Sequence, residues 1–201
     1  MKLHTADGLT LEGELHVPDG VHAAVVLAHP HPLHGGNMRS IVIGALFAGL
    51  PAAGVAVLRF NFRGVGASEG THDRGQAERL DVVAALDVLE GLGRDLPLVL
   101  GGWSFGADTS LAVDDARHAG WFAVAPPLRH AEPVAAASDP RPKLLAVPER
   151  DQFRSPESAR EVVASWTNTE LTVVPGADHF LVGRTDRVVE LAVEFINRFL
   201  S

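Results

Sequence analysis

Short apolar runs alternate with amphipathic stretches along most of this chain. The segment Ala23–Ala28 is apolar at every position, which is typical of a strand that is buried on both faces of a sheet. The segment Asp186–Leu200 instead spaces its apolar residues at helical intervals with charged residues between them, as an amphipathic helix does. Regular alternation of the two patterns predicts an α/β fold with a mostly parallel sheet and helices on both faces, because helical crossovers connect parallel strands.

The remaining elements follow from the same two patterns. An N-terminal antiparallel hairpin is predicted around the turn dipeptide Asp7-Gly8, from Lys2–Thr5 and Leu9–Val17. The other predicted strands are Ala23–Ala28, Val55–Phe60, Leu98–Gly101, Trp121–Ala125, Lys143–Val147 and Leu171–Val174. The predicted helices are Arg39–Leu50, Gln76–Leu92, Phe105–Asp115, Glu132–Ala137, Pro156–Trp166 and Asp186–Leu200.

The chain is expected to form one domain over residues 1–201, because it contains no repeat, linker or low-complexity tract. The segment between Pro126 and Arg141 is too short for an inserted lid, so no lid domain is expected.

Composition narrows the classes of function. The net charge of −8 argues against a nucleic-acid binder, which would carry a basic surface. The absence of cysteine excludes disulfides, thiolate metal sites and a cysteine nucleophile. The N-terminus has no apolar signal-peptide core, and no apolar run reaches the ~20 residues that span a bilayer. We therefore expect a cytoplasmic protein that acts on neither membranes nor nucleic acids.

The stretch Gly102-Trp103-Ser104-Phe105-Gly106 carries the clearest chemical signal. It follows an apolar strand and opens a helix, which is the context of a G-x-S-x-G nucleophile elbow. Side chains two residues before and after the serine would collide in so tight a turn, and glycine removes that collision. Ser104 is therefore the candidate nucleophile, and an idle serine in a glycine-rich turn is the alternative.

A serine hydroxyl needs a base, and the base needs an orienting acid. In chain order the acid is expected after a later strand and the histidine after the last one. His179 fills the second position and is the only histidine after His130. Asp151 fills the first position, with Glu149 and Asp178 as competing candidates.

An oxyanion hole needs two N–H donors. The amide of Phe105, directly after the nucleophile, is one candidate. The loop after Ala28 supplies the other, and its prolines lack an N–H, so His31 is favoured with Leu33 as the alternative. Trp103 and His29 are candidates for lining a substrate pocket.

Several segments together resemble the small lidless bacterial α/β-hydrolases. The resemblance rests on His29-Pro30-His31-Pro32 with Gly35-Gly36-Asn37-Met38, on the loop Arg63-Gly64-Val65-Gly66-Ala67-Ser68, on the elbow, and on Asp151-Gln152-Phe153 and Asp178-His179-Phe180. It implies an α/β-hydrolase fold and a serine hydrolase with the catalytic residues Ser104, Asp151 and His179 and oxyanion amides at His31 and Phe105. We also expect a small-molecule acyl substrate and no cofactor, although the resemblance does not choose the substrate.

Two alternatives come from other classes of protein. One alternative is that His29, His31 and His34 are metal ligands. The prolines on both sides of His31 stiffen the loop, which suits a loop with a fixed backbone shape better than one with flexible metal ligands. No metal is therefore expected. A non-catalytic hydrolase-fold protein that binds a ligand or partner is the second alternative. The sequence predicts neither the acyl chain length nor the oligomeric state.

Overall fold

A computed structural model describes residues 1–93, 96–129 and 134–199 of the chain. In these ranges the strands are β1 (Lys2–His4), β2 (Thr10–His16), β3 (Ala23–Ala28), β4 (Val55–Phe60), β5 (Leu98–Trp103), β6 (His118–Val124), β7 (Lys143–Pro148) and β8 (Thr169–Val174). The α-helices are α1 (Ile41–Gly49), α2 (Glu78–Glu90), α3 (Phe105–Leu111), α4 (Ala135–Ser138), α5 (Pro156–Val163) and α6 (Thr185–Phe199). Two 3₁₀ turns, Pro32–His34 and Leu50–Ala53, flank α1.

The described strands form one sheet with the order β1-β2-β4-β3-β5-β6-β7-β8. Strands β3 to β8 pair in parallel, whereas β1 pairs with β2 and β2 pairs with β4 in antiparallel fashion. The predicted mostly parallel sheet with an N-terminal antiparallel hairpin is therefore confirmed. The carboxyl ends of β5, β7 and β8 meet at one edge of the sheet, which is where ligands bind in open α/β folds.

Two apolar cores lie on opposite faces of the sheet. Successive residues of a strand face opposite sides, and in β3 Val26 belongs to one core and Val25 to the other. The first core contains apolar residues of α2, α3, α4 and α5, and the second contains those of α1 and α6. Burial from both sides explains why β3 has no polar position, and it confirms helices on both faces.

Some predicted boundaries are wrong. Strand β5 continues through Gly102 and Trp103 to the elbow, because both residues pair with β6. Helix α3 ends at Leu111 rather than Asp115, since the N–H of Val113 donates to the carbonyl of Ser110, three residues back, and departs from the α-helical spacing of four. The predicted helix Glu132–Ala137 lies partly outside the described residues, and its described part is α4.

His118 begins β6 as a buried histidine, only 2% exposed. Neither ring nitrogen makes a hydrogen bond of normal geometry within the described residues. The ring lies against Trp121, with 4.2 Å between centroids. Burial lowers the pKa of His118 from 6.5 to about 4, because the imidazolium would lose its hydration.

We expect the free energy of unfolding to fall as the pH drops from 6.5 toward 4. The pKa of His118 is lower in the folded protein, so the unfolded chain takes up the proton first, and at about pH 5 this costs about 2 kcal/mol. His118→Phe keeps a ring against Trp121 and cannot be protonated. Its stability should therefore drop less than that of the wild type between about pH 7 and pH 5 in urea unfolding.

The exposed His4 provides a matched control. His4→Phe should lose as much stability as the wild type over the same pH interval. An equal loss in His118→Phe would contradict the prediction.

Candidate active site

Ser104 is the single residue between the end of β5 and the start of α3. Its φ of 56° and ψ of −119° form a strained backbone conformation for a residue with a side chain. The turn is held by the Ser104 N–H, which donates to the carbonyl of Val124 in β6 at 2.9 Å. This hydrogen bond to the neighbouring strand thus stabilises the strained conformation of Ser104. The conformation places the Ser104 hydroxyl at the carboxyl edge of the sheet.

Gly102 and Gly106 let this turn close. A Cβ on Gly102 would lie 2.5 Å from the carbonyl carbon of Gly106. A Cβ on Gly106 would lie 2.2 Å from the carbonyl oxygen of Ala28, well inside van der Waals contact. Both obstacles are backbone atoms that cannot rotate away, so glycine is required at each position.

We expect Gly106→Ala to destabilise the fold by about 3 kcal/mol or more, since α3 must move away from the end of β3. Gly44→Ala in α1 is the control, because a Cβ there meets nothing closer than 3.6 Å. It should raise stability by up to about 1 kcal/mol through helix propensity. Thermal unfolding measures both changes, and a Gly106→Ala variant as stable as the wild type would contradict the interpretation.

The structure brings Ser104, His179 and Asp151 together from three separate strand ends. The Ser104 Oγ lies 2.9 Å from Nε2 of His179, and His179 Nδ1 lies 2.8 Å from Oδ2 of Asp151. All three residues are buried. An ionised carboxylate can only accept, so Nδ1 carries the proton and Nε2 is free to accept the proton of the serine hydroxyl.

The competing carboxylates are occupied elsewhere. Glu149 Oε2 accepts the N–H of Gly176 at 2.7 Å, and Asp178 Oδ1 accepts the N–H of Phe180 at 3.0 Å. Of the three candidates, Asp151 is the one whose side chain contacts the ring of His179.

Neighbouring groups fix both ends of the Asp151–His179 pair. Asp151 Oδ1 accepts the N–H of Phe153 at 2.8 Å, which leaves Oδ2 for the histidine. Trp103 donates its indole N–H to the carbonyl of His179 at 3.1 Å. The Phe153 ring contacts the His179 ring edge-on, with 4.4 Å between centroids. The imidazole therefore has little freedom to leave the serine.

The loop after β3 is tightly folded around His31. The His31 carbonyl accepts the N–H groups of His34 and Gly36, at 3.1 Å each. The Leu33 N–H donates to Nδ1 of His31 at 3.2 Å, so the alternative oxyanion donor is already used inside the loop. Because Gly106 packs on the carbonyls of Ala28 and His29, this loop lies directly against the first turn of α3.

His29, one of the two candidates for lining a substrate pocket, does not belong to the cavity wall. It is completely buried, and backbone groups occupy both of its ring nitrogens. Nε2 accepts the N–H of Phe62 at 3.0 Å, so Nδ1 carries the proton and donates to the Pro30 carbonyl at 2.6 Å. Burial lowers the pKa of His29 to about 4, and the neutral ring ties the loop after β3 to the end of β4.

A cavity of about 920 Å³ opens above Ser104. Its wall includes His31, Trp103, Phe105, Phe153 and His179. The volume is in the upper range of small-molecule sites. Within the described ranges no group of three or more His, Asp or Glu side chains is placed to hold a metal ion.

The profile of a known family, described as an alpha/beta hydrolase domain, matches residues 21–192. The chain belongs to this alpha/beta hydrolase family. The family match covers the elbow, the loop after β3 and the segments that carry Asp151 and His179, which confirms the resemblance drawn from the sequence motifs.

The chain is also similar to individual proteins and solved structures. An alpha-beta serine hydrolase homologue from Coxiella burnetii is 32% identical, with a TM-score of 0.88 over 98% of this chain and 96% of that one. An uncharacterised protein of Rickettsia prowazekii is 33% identical over 81% of this chain and 73% of its own length. A serine hydrolase without lid from Xanthomonas campestris, 24% identical, shares the fold with a TM-score of 0.88 over 100% of this chain and 94% of that one.

The family assignment supports a hydrolase, and the described part of the chain between β6 and β7 holds no lid domain. Consistent with this, residues 125–142 contribute only the four-residue α4 in their described part. No helix among the described residues is long and apolar enough to span a membrane.

Proposed function

We propose that this protein is a metal-independent serine hydrolase that cleaves carboxylic esters or related acyl bonds through an acyl-Ser104 intermediate. The proposal depends on one observation: the Ser104 hydroxyl is hydrogen-bonded to a histidine whose other nitrogen is bonded to Asp151. This connection turns a weak nucleophile into a reactive one without a metal.

The reaction follows from these contacts. Ser104 Oγ attacks the carbonyl carbon while Nε2 of His179 takes its proton, and Asp151 stabilises the resulting imidazolium. The imidazolium then gives the proton to the leaving alcohol, and the acyl group stays on Ser104. Water attacks the acyl-serine by the same route, with His179 again as the base, and releases the carboxylic acid and the free serine.

The tetrahedral intermediates carry a negative oxygen that needs hydrogen-bond donors. The amide of Phe105, at the N-terminus of α3, is our first candidate. The amide of His31, on the loop that packs against α3, is the second. Their two segments are held together by the contact at Gly106, which supports a preformed site for the oxyanion.

A fluorophosphonate probe tests the acyl-serine mechanism directly. We expect the wild-type protein to be labelled, and mass spectrometry of the digested protein to locate the label on Ser104. Ser40→Ala removes another hydroxyl of the cavity wall and should leave labelling intact. No labelling, together with no turnover of a broad ester panel, would instead favour a non-catalytic binding protein.

A further inference from the structure

The cavity above Ser104 carries a concentration of positive charge on an otherwise acidic protein. Arg74, Arg79 and Arg129 all belong to its wall, while the whole chain has a net charge of −8. None of the three forms an ion pair with a carboxylate among the described residues. Guanidinium groups in this situation are suited to bind a carboxylate or a phosphate from outside the protein.

Arg74 and Arg79 are carried by a segment that the buried Glu78 organises. The carboxylate of Glu78 accepts the N–H groups of Asp73 at 2.7 Å and Gly75 at 2.8 Å, so the loop before α2 has a fixed shape. Arg79 donates to two neutral acceptors, the carbonyl of Gly75 and the side chain of Gln76. The Arg79 guanidinium is thus held by neutral groups, and Arg74 is an exposed residue of the same segment.

One carboxylate, that of Asp108, also belongs to the cavity wall. Asp108 accepts the N–H groups of Leu128 at 2.9 Å and Arg129 at 3.1 Å, so each of its oxygens already has a backbone donor. Three arginines against this one carboxylate leave the described wall with an excess of positive charge that an anionic ligand can meet.

The segment that carries these arginines lies beside the helix that begins after the nucleophile. A Cβ on Gly75 would lie 3.5 Å from the Phe105 ring and 3.9 Å from Oγ1 of Thr109, so the arginine segment lies along α3. Thr109 is five residues beyond Ser104, which corresponds to about 7 Å along a helix axis.

We infer that this cavity selects acyl substrates bearing an anionic oxygen group, a carboxylate or a phosphate, which Arg74 and Arg79 bind. The inference rests on the proposed serine hydrolase function and adds the class of substrate to it. The negative group would be attracted into the cavity from solution and would orient the ester over Ser104.

Matched ester pairs test this selectivity. One series consists of p-nitrophenyl half-esters of dicarboxylic acids of increasing length, each paired with its neutral methyl-capped analogue. A second pair, 4-carboxyphenyl butyrate and its methyl ester, places the charge on the alcohol side. Competition by glutarate and by inorganic phosphate distinguishes a carboxylate site from a phosphate site.

The variants are chosen to preserve the backbone. Arg74→Asn suits a position with φ of 56°, because asparagine tolerates the left-handed region. Arg79→Gln keeps a good helix former in α2. Arg160→Gln, on the exposed side of α5 and outside the cavity wall, makes the same change of net charge and serves as the control.

We expect the wild-type kcat/KM to favour the charged member of at least one pair by about 10-fold or more. Arg74→Asn and Arg79→Gln should each remove most of that preference, Arg160→Gln should retain it, and competition by the preferred anion should weaken in both cavity variants. Turnover of neutral esters with no preference for charge, or equal losses in Arg160→Gln, would overturn this inference alone. No turnover of any ester by the wild type would instead contradict the proposed function.

Discussion

Replacing Ser104 with alanine is expected to lower kcat for an activated ester on the order of 10⁶-fold. The substitution removes the single oxygen that attacks the substrate and leaves its partner His179 nothing to activate. The backbone hydrogen bond from residue 104 to Val124 does not involve the side chain, so the elbow should keep its shape. Steady-state kinetics with p-nitrophenyl esters measure the loss.

Two controls separate lost chemistry from lost structure. Ser104→Ala should unfold at nearly the wild-type temperature, and Ser40→Ala should retain turnover within a few-fold. A Ser104→Ala protein that hydrolyses the ester at a substantial fraction of the wild-type rate would contradict the assignment of the nucleophile.

Asp151→Asn is expected to reduce kcat by about 10⁴-fold while changing the size of the side chain very little. Oδ1 can still accept the N–H of Phe153, so the loop after β7 should stay in place. The new amide group, however, donates toward Nδ1 of His179 and favours the tautomer that carries its proton on Nε2. That tautomer cannot accept a proton from Ser104.

Glu149→Gln is the control for the loss of kcat expected in Asp151→Asn. It makes the same carboxylate-to-amide change two residues away, in a side chain that bonds the N–H of Gly176 rather than His179. Its kcat should stay within about a factor of ten of wild type, as expected for a change outside the serine–histidine relay. A larger loss in Glu149→Gln than in Asp151→Asn would mean that Glu149 is the acid.

The sequence was sufficient to predict the parts of the fold that local patterns determine. Buried strands such as Ala23–Ala28 must be apolar at every position, and the elbow has a fixed arrangement of glycines around its serine. The order of Ser104, Asp151 and His179 then follows from strands that all end at one edge of the sheet. Each of these features is determined by a short segment of the sequence, so it can be predicted from that segment alone.

The features of the fold and the site that the sequence does not predict depend on contacts between distant segments. The pairing of β2 with β4 rather than β3 leaves no local trace in either strand. The sequence makes His29 only a candidate for the cavity wall, because its place in the fold depends on an acceptor at Pro30 and a donor at Phe62. The basic wall was also missed, because Arg74 and Arg79 precede the elbow by more than 20 residues and reach α3 only after folding.

The candidate site draws its residues from the ends of three strands: Ser104 follows β5, Asp151 follows β7 and His179 follows β8. The site can therefore form only after these strands have paired. Ser104 and His179 are separated by 75 positions, so their meeting belongs to the slow, non-local part of folding. Recovery of ester turnover after dilution from urea should accordingly trail the return of helical circular dichroism. A nascent chain on the ribosome would remain inert until β8 has emerged and docked.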